Sequence, residues 1–163
     1  MSAAVNDPGT PRKQVRAMQI LCGALIGGVV IFTLIMIGLN LSAGPTMKHR
    51  TDYFNNGVLV VAGLAALIVY VVATRKYKET LKIRESADPL PEKLNRYRAV
   101  LISHMALCEG ASLFSVIGFF MTGQYLLFIA TAAMLALMLS KMPLTARVCN
   151  ELALDAREQA EIS

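Results

Sequence analysis

Among the side chains of this sequence that could do chemistry, Glu109 stands apart by its surroundings. It lies in the middle of the apolar run LISHMALCEGASLFSVIGFFM at 101–121. About 20 residues at ~1.5 Å rise cover a ~30 Å hydrocarbon core, and counted from Arg98 the carboxyl is ~16 Å into it. An acidic group at that depth costs roughly 3 kcal/mol, so it is expected to face protein or water and to have a task. No Lys or Arg lies within an apolar run to neutralise it. The expected state is a buried, protonated acid, hydrogen-bonded to hydroxyls at similar depth. Ser112 is one turn on, and Ser115, Thr33 and Thr131 are the other candidates. His104 cannot serve, because five residues along a helix is a rotation of about 140°. Instead His104, Cys108, Ala111, Ser115 and Gly118 make a separate narrow stripe of small and polar groups. His104 reads either as a first proton step from one surface or as a packed histidine at the membrane interface.

Two functions fit Glu109. It can be a neutral hydrogen-bonding group between helices, where such bonds average only ~0.6 kcal/mol and orient the bundle. Or it can bind and release a proton or cation. The first is preferred, because proton relays depend on chains of titratable groups and none leads from Glu109 to either surface. Nothing else suggests catalysis. Cys22, Cys108 and Cys149 form no CxxC and are expected to be free thiols. His49 falls in a polar loop as a solvated histidine. There is no glycine-rich phosphate loop and no His-Glu-x-x-His. The expectation is a protein that is not an enzyme and needs no metal or cofactor.

The elements that must position these groups follow from composition. The chain has 163 residues, 55% of them hydrophobic, and a mean hydropathy of +0.53, far too apolar for a soluble domain of this size. Its net charge of +5 is sorted by position and accompanied by no nucleic-acid motif, so the expected partner is the lipid bilayer. The reading is all-α: a four-span transmembrane helix bundle at 17–141, with spans at about 17–41, 57–73, 99–121 and 124–140. A disordered basic N-terminus (1–16) precedes it. The first span is too long, and too poor in cleavage-site residues, for a cleaved signal, so it is expected to remain. Gly23 with Gly27, Ala62 with Ala66, and Ala132 with Ala136 place small residues four apart, the spacing that lets helices approach closely. They offer more such faces than one bundle uses, which points to a homo-oligomer or to other membrane subunits.

Between the spans, 42–56 is a polar loop and 75–98 a dense cluster of charge. Its first part, 76–85, is expected to continue the second helix out of the membrane, until Pro89 and Pro91 break it and start the third. Thr122-Gly123-Gln124 is a tight turn. After Pro143, the residues Leu144, Val148 and Leu152 recur every four positions, predicting an amphipathic helix in a cytoplasmic tail at 142–163. The acidic Glu158 and Glu161 in that tail argue against strong binding to anionic lipid.

Sliding the chain against itself sets Leu25, Gly28, Phe32 and Thr33 over Leu107, Gly110, Phe114 and Ser115. This alignment would make the bundle two tandem parallel hairpin repeats, with Glu109 over Gly27. Both hairpins would then enter and leave on one side.

Residues 94–154 resemble a group of small four-helix bacterial inner-membrane proteins of Bacteroidetes type with no assigned function. The likeness is carried by Tyr97-Arg98, Ala106-Leu107-Cys108-Glu109-Gly110-Ala111, Leu113-Phe114, Thr122-Gly123, Met142-Pro143-Leu144-Thr145 and Glu151-Leu152-Ala153-Leu154. It implies four spans in a bacterial inner (plasma) membrane and no chemistry. A weaker similarity is to the rotary ATPase proteolipids, tandem hairpins with one embedded carboxylate. There the carboxylate sits on the second helix of its hairpin, whereas Glu109 is on the first. That family implies the alternative function, an ion-carrying subunit.

All Lys and Arg except Lys48 and Arg50 fall in the N-terminus, the middle loop or the tail. By the positive-inside rule this puts both termini in the cytoplasm. Reporter fusions after Asp52 and after Asp88 are expected to report opposite sides of the membrane, and the same answer from both would overturn the topology.

Overall fold

The computed structural model describes residues 10–44, 52–86 and 88–162. Among these the chain forms seven helices and no strand. They are α1 (Pro11–Ala43), α2 (Asp52–Tyr77), α3 (Glu79–Arg84), α4 (Leu90–Thr122), α5 (Leu127–Ser140), α6 (Thr145–Leu152) and α7 (Ala156–Ile162). Three helices are long and apolar enough to cross a membrane: α1, α2 together with α3, and α4. A fourth helix that meets this length results only if α5 and α6 count together, and they are bent by 76°. With 14 residues, α5 is ~21 Å long, short of a full hydrocarbon core.

Helix α4 is the centre. It packs against α1, α2 and α5, while α2 and α5 touch each other less, α1 and α5 less still, and α1 and α2 least. Its inward face carries Tyr97, Leu101, His104, Cys108, Ala111, Ser112, Ser115, Gly118 and Phe119, all buried. Small and weakly polar side chains on one stripe let three helix backbones come close, as the sequence expected of this stripe. At its far end Gly118 is the tightest point, since a Cβ there would meet Val58 of α2 at 3.1 Å and Leu127 of α5 at 3.3 Å. The α4–α5 turn is closed by Gly123 in the left-handed region (φ 72°), with its N–H bonded to the Phe119 carbonyl at 2.7 Å. That conformation suits glycine, which has no Cβ to clash.

At the opposite end of α4 the basic segments gather. The start of α1 meets α7, and α3 meets α4 and α6. Asp88 and Glu92 flank Arg96 at 2.9 Å and 3.0 Å, pinning the entry to α4, although pairs this exposed contribute little.

Several boundaries differ from the sequence reading. The first helix begins at Pro11, so Arg12, Lys13 and Arg16 are helical. Residues 1–9 of the expected disordered lead lie outside the described residues. So do 45–51 of the expected 42–56 loop, with Lys48, His49 and Arg50, while 42–43 belong to α1 and 52–56 to α2. The second helix does run on beyond Lys76, but with a break at Lys78. The single amphipathic tail helix is two short ones. Val148 and Leu152 are buried as expected, but Leu144 is exposed because it precedes α6 as its N-cap. Ala153, at φ 48°, ends α6 and turns buried Leu154 back onto the bundle. The two proposed hairpins also differ: α1 and α4 each have 33 residues, whereas α5 is about half as long as α2.

The small-residue pairs divide likewise. Ala62 and Ala66 are buried, whereas Gly23, Ala132 and Ala136 are exposed and Gly27 is half-buried. A Cβ added at Gly23 or Gly27 would meet nothing within 4 Å, so the α1 glycines do not pack within the chain. Gly118→Leu is expected to lower the thermal midpoint of the detergent-solubilised protein, at a cost of about 1–3 kcal/mol from overpacking. Gly23→Leu, in open space, is expected to leave the fold's stability near wild type. Equal effects would show that α4 is not the crowded helix.

Candidate functional site

The hydroxyls expected around Glu109 are bonded elsewhere. Ser112 Oγ donates to the Cys108 carbonyl at 2.9 Å and Ser115 Oγ to Ala111 at 3.0 Å. Thr33 Oγ1 donates to Val29 at 2.7 Å, and Thr131 Oγ1 to Leu127 at 3.4 Å. Each bonds back one turn on its own helix, the usual way for Ser and Thr to satisfy themselves where water is absent. Glu109 is half-buried rather than buried. Among the described residues no hydrogen bond or ion pair reaches it. It sits at the edge of the packed face of α4, between buried Cys108 and exposed Gly110. The structure therefore does not bring Glu109 together with Ser112, Ser115, Thr33 or Thr131.

His104 is fully buried and tied to α2. Its Nδ1 lies 3.1 Å from the Ala73 carbonyl, which fixes Nδ1 as the N–H donor. Its Nε2 lies 3.9 Å from the Cys108 thiol. The Tyr77 ring meets it edge-on, 5.3 Å between centroids. A histidine with both nitrogens occupied and an aromatic lid is a packed one, and it faces α2 while Glu109 does not.

That tyrosine belongs to a polar cluster which sequence reasoning did not assemble. The Tyr77 hydroxyl donates to Glu151 Oε2, and the Tyr97 hydroxyl donates to the same oxygen at 2.9 Å. Lys141 Nζ stands 4.0 Å from the centroid of the Tyr77 ring, a cation over an aromatic face. Arg147 donates to the carbonyls of Ser140 and, at 3.4 Å, Met142, closing the C-terminal end of α5. Two phenols converging on one carboxylate oxygen make charge-assisted bonds, stronger than neutral ones. Tyr77 and Tyr97 lie beyond the apolar spans, among Arg75, Lys76, Arg96 and Arg98. Burial, joined by the bond to Glu151, holds the Tyr77 phenol well above its ordinary pKa. Burial does the same for Tyr97.

Each partner comes from a different element: Tyr77 from the end of α2, Tyr97 from the first turns of α4, Glu151 from α6. Tyrosines next to Arg at the ends of apolar runs are a readable sign of the membrane interface. Their shared acceptor, far along the chain in the tail, carries no local sign. A cavity of about 350 Å³ lies beside them, lined by Tyr77, Lys78, Thr80, Arg84, Asn150 and Glu151. Chemically the cluster is a fastener. Among the described residues no group of three or more His, Cys, Asp or Glu could hold a metal ion. Cys22, Cys108 and Cys149 are free thiols.

No protein-family model matches the chain, and no curated protein or solved structure does.

Removing the shared acceptor with Glu151→Ala is expected to leave two phenols unpaired, costing about 1–3 kcal/mol, and to speed hydrogen exchange across 145–152 more than across α4. The raised phenol pKa values carry a sign. Stability from the neutral phenols is full below the unfolded value of about 10 and is lost as pH rises beyond it. Exchange in α6 is therefore expected to accelerate above pH ~10, and a Tyr77→Phe/Tyr97→Phe variant is expected to lack that alkaline step. A step that persists in the double variant would remove the phenols as its cause.

Proposed function

We propose that the chain is an integral membrane protein of structural or assembly type, working in an oligomer or a larger membrane complex. The observation that carries this reading is a half-buried carboxyl at mid-span with no partner among the described residues. Unpaired in hydrocarbon, such a group costs several kcal/mol. A hydrogen-bond partner on a neighbouring subunit removes that cost. In this reading Glu109 is a neutral acid that orients one subunit against the next. The outward faces support it. Only 11% of the most apolar window of α1 and 17% of that of α2 are buried inside the chain, against 44% for α4. Exposed Gly23, Ala24 and Gly28 on α1 leave room for a close helix approach.

The membrane is a bacterial inner membrane in this proposal, crossed four times, with α5 and the turn before it forming the last crossing. Both termini are cytoplasmic, which agrees with the gathering of the basic segments at one end of α4. The alternative is a proton- or cation-binding subunit in which Glu109 ionises. The same partial exposure favours it, because an ion must reach the carboxyl from outside the packed face.

Light scattering in mild detergent is expected to give wild-type particles larger than a monomer. Glu109→Gln keeps a donor and an acceptor of nearly the same shape and is expected to preserve that size. Glu109→Leu is expected to shift it toward the monomer. A monomeric wild type with no co-purifying membrane partner would overturn the assembly reading. A well-folded, correctly assembled Glu109→Gln protein that fails to complement a deletion would establish the ion-carrying alternative, because an amide cannot release a proton.

A further inference from the structure

A second cavity lies on the basic side of the bundle, where α1 enters its apolar run. It holds about 280 Å³ and is lined by Arg12, Val15, Arg16, Gln19, Thr145 and Ile162. The spacing explains the lining. Positions i, i+4 and i+7 share one helix face, so Arg12, Arg16 and Gln19 stack along one side of α1. Val15 falls on the same side and, buried together with Ile162, forms an apolar floor. Gln19 Nε2 donates to the Pro143 carbonyl at 3.0 Å, which holds α1 against the bend between α5 and α6. Thr145 closes the wall as the first residue of α6. The N-cap of that helix is Leu144, with no side-chain hydrogen bond, so the first-turn N–H groups lack the usual side-chain acceptor.

The charge in this cavity is unbalanced. Both guanidinium groups belong to exposed residues, and among the described residues neither forms an ion pair or hydrogen bond. The carboxylate of nearby α7 that is described is turned away: Glu158 accepts from the Asp155 backbone N–H at 3.0 Å. The cavity thus offers two arginine forks, a hydroxyl and an uncapped helix start, and among the described residues no acceptor strong enough to occupy them. Arginine forks match the oxygens of phosphate bidentately, which lysine cannot do.

We propose that Arg12, Arg16, Gln19 and Thr145 form a binding site for a phosphate group at the membrane surface. The phosphate is either the diester of an anionic phospholipid headgroup or a free phosphate compound from the aqueous side. Position favours the lipid. Arg16 directly precedes the apolar run that starts at Ala17, so the cavity opens at headgroup depth, and basic pockets between helices on that side suit anionic headgroups. The lipid source rests on the membrane reading above, whereas the free-phosphate source does not.

The test uses the full-length protein in mild detergent. Native mass spectrometry counts retained lipid after addition of dioleoylphosphatidylglycerol or dioleoylphosphatidylcholine, and thermal shift is followed with inorganic phosphate. Wild type is expected to retain phosphatidylglycerol over phosphatidylcholine. The Arg12→Gln/Arg16→Gln variant is expected to lose that retention by roughly tenfold or more, with unchanged elution on size exclusion. Lys13→Gln, next to Arg12 in the chain but outside the cavity lining, is expected to retain lipid as wild type does. Arg12→Lys/Arg16→Lys keeps the charge and is expected to fall between the two. Stabilisation by inorganic phosphate that depends on both arginines, without lipid retention, would assign the site to a soluble phosphate compound and leave the site itself standing. Equal loss in the Lys13 variant would reduce the effect to surface charge and overturn the site. So would retention that survives the double variant, or no response of wild type to either probe.

Discussion

One helix has to serve as the packing surface for three others, and the rest of the structure depends on how α4 does it. In lipid there is no gain from burying leucine, so helices associate only where they can approach closely enough for dispersion and a few hydrogen bonds to act. The inward face of α4 meets that demand with His104, Cys108, Ala111, Ser115 and Gly118, and α1, α2 and α5 each take a share of it. Because this face is occupied by neighbours, Glu109 at its edge is left half outside. The small residues that α4 needs are therefore also what sets its carboxyl at the boundary between the chain and whatever surrounds it.

The ends of the molecule obey a different rule. Beyond the apolar spans, water and charge are available, and the contacts become polar and specific. Tyr77 and Tyr97 share Glu151, Arg147 closes α5, and Gln19 holds the bend at Pro143. These contacts bind a tail of two short helices, neither of which is long enough to persist alone, to helices that are. The tail's position is thus set by hydrogen bonds at the basic end of the bundle, supplemented by the burial of Val148, Leu152, Leu154 and Ile162.

What was legible in the sequence was whatever has a period or a composition. The helical class, the apolar runs, the break before Leu90, the Gly123 turn and the packed stripe through His104 all follow from spacing along a single helix. The packing of Ala62 and Ala66 was legible for the same reason. Pairings between distant elements were not. Thr33, Ser112, Ser115 and Thr131 are expected around Glu109, but each hydroxyl bonds the carbonyl one turn back, which is always in reach and requires no neighbour. Nothing near Glu151 in the sequence marks it as an acceptor, since its two phenols lie on other helices. Gly23 and Gly27 carried the right spacing for a close contact, yet spacing says only that a helix can be approached, and within this chain none does so.

The shortness of α5 has a mechanical consequence for a surrounding bilayer. The apolar runs of α1 and α4 match or exceed an average hydrocarbon core, that of α2 at 57–73 is slightly short of it at ~26 Å, and α5 falls short by roughly a third. In a bilayer, lipids beside α1 can keep their full thickness, and those beside α5 must compress or let Tyr125 and Lys141, which flank that helix, be drawn inward. Such mismatch costs a fraction of a kcal/mol per ångström. A protein with one thin side bends the elastic sheet around it unevenly, and two copies lower the strain by sharing their thin sides. In a bilayer, thickness itself would then act on where this chain settles.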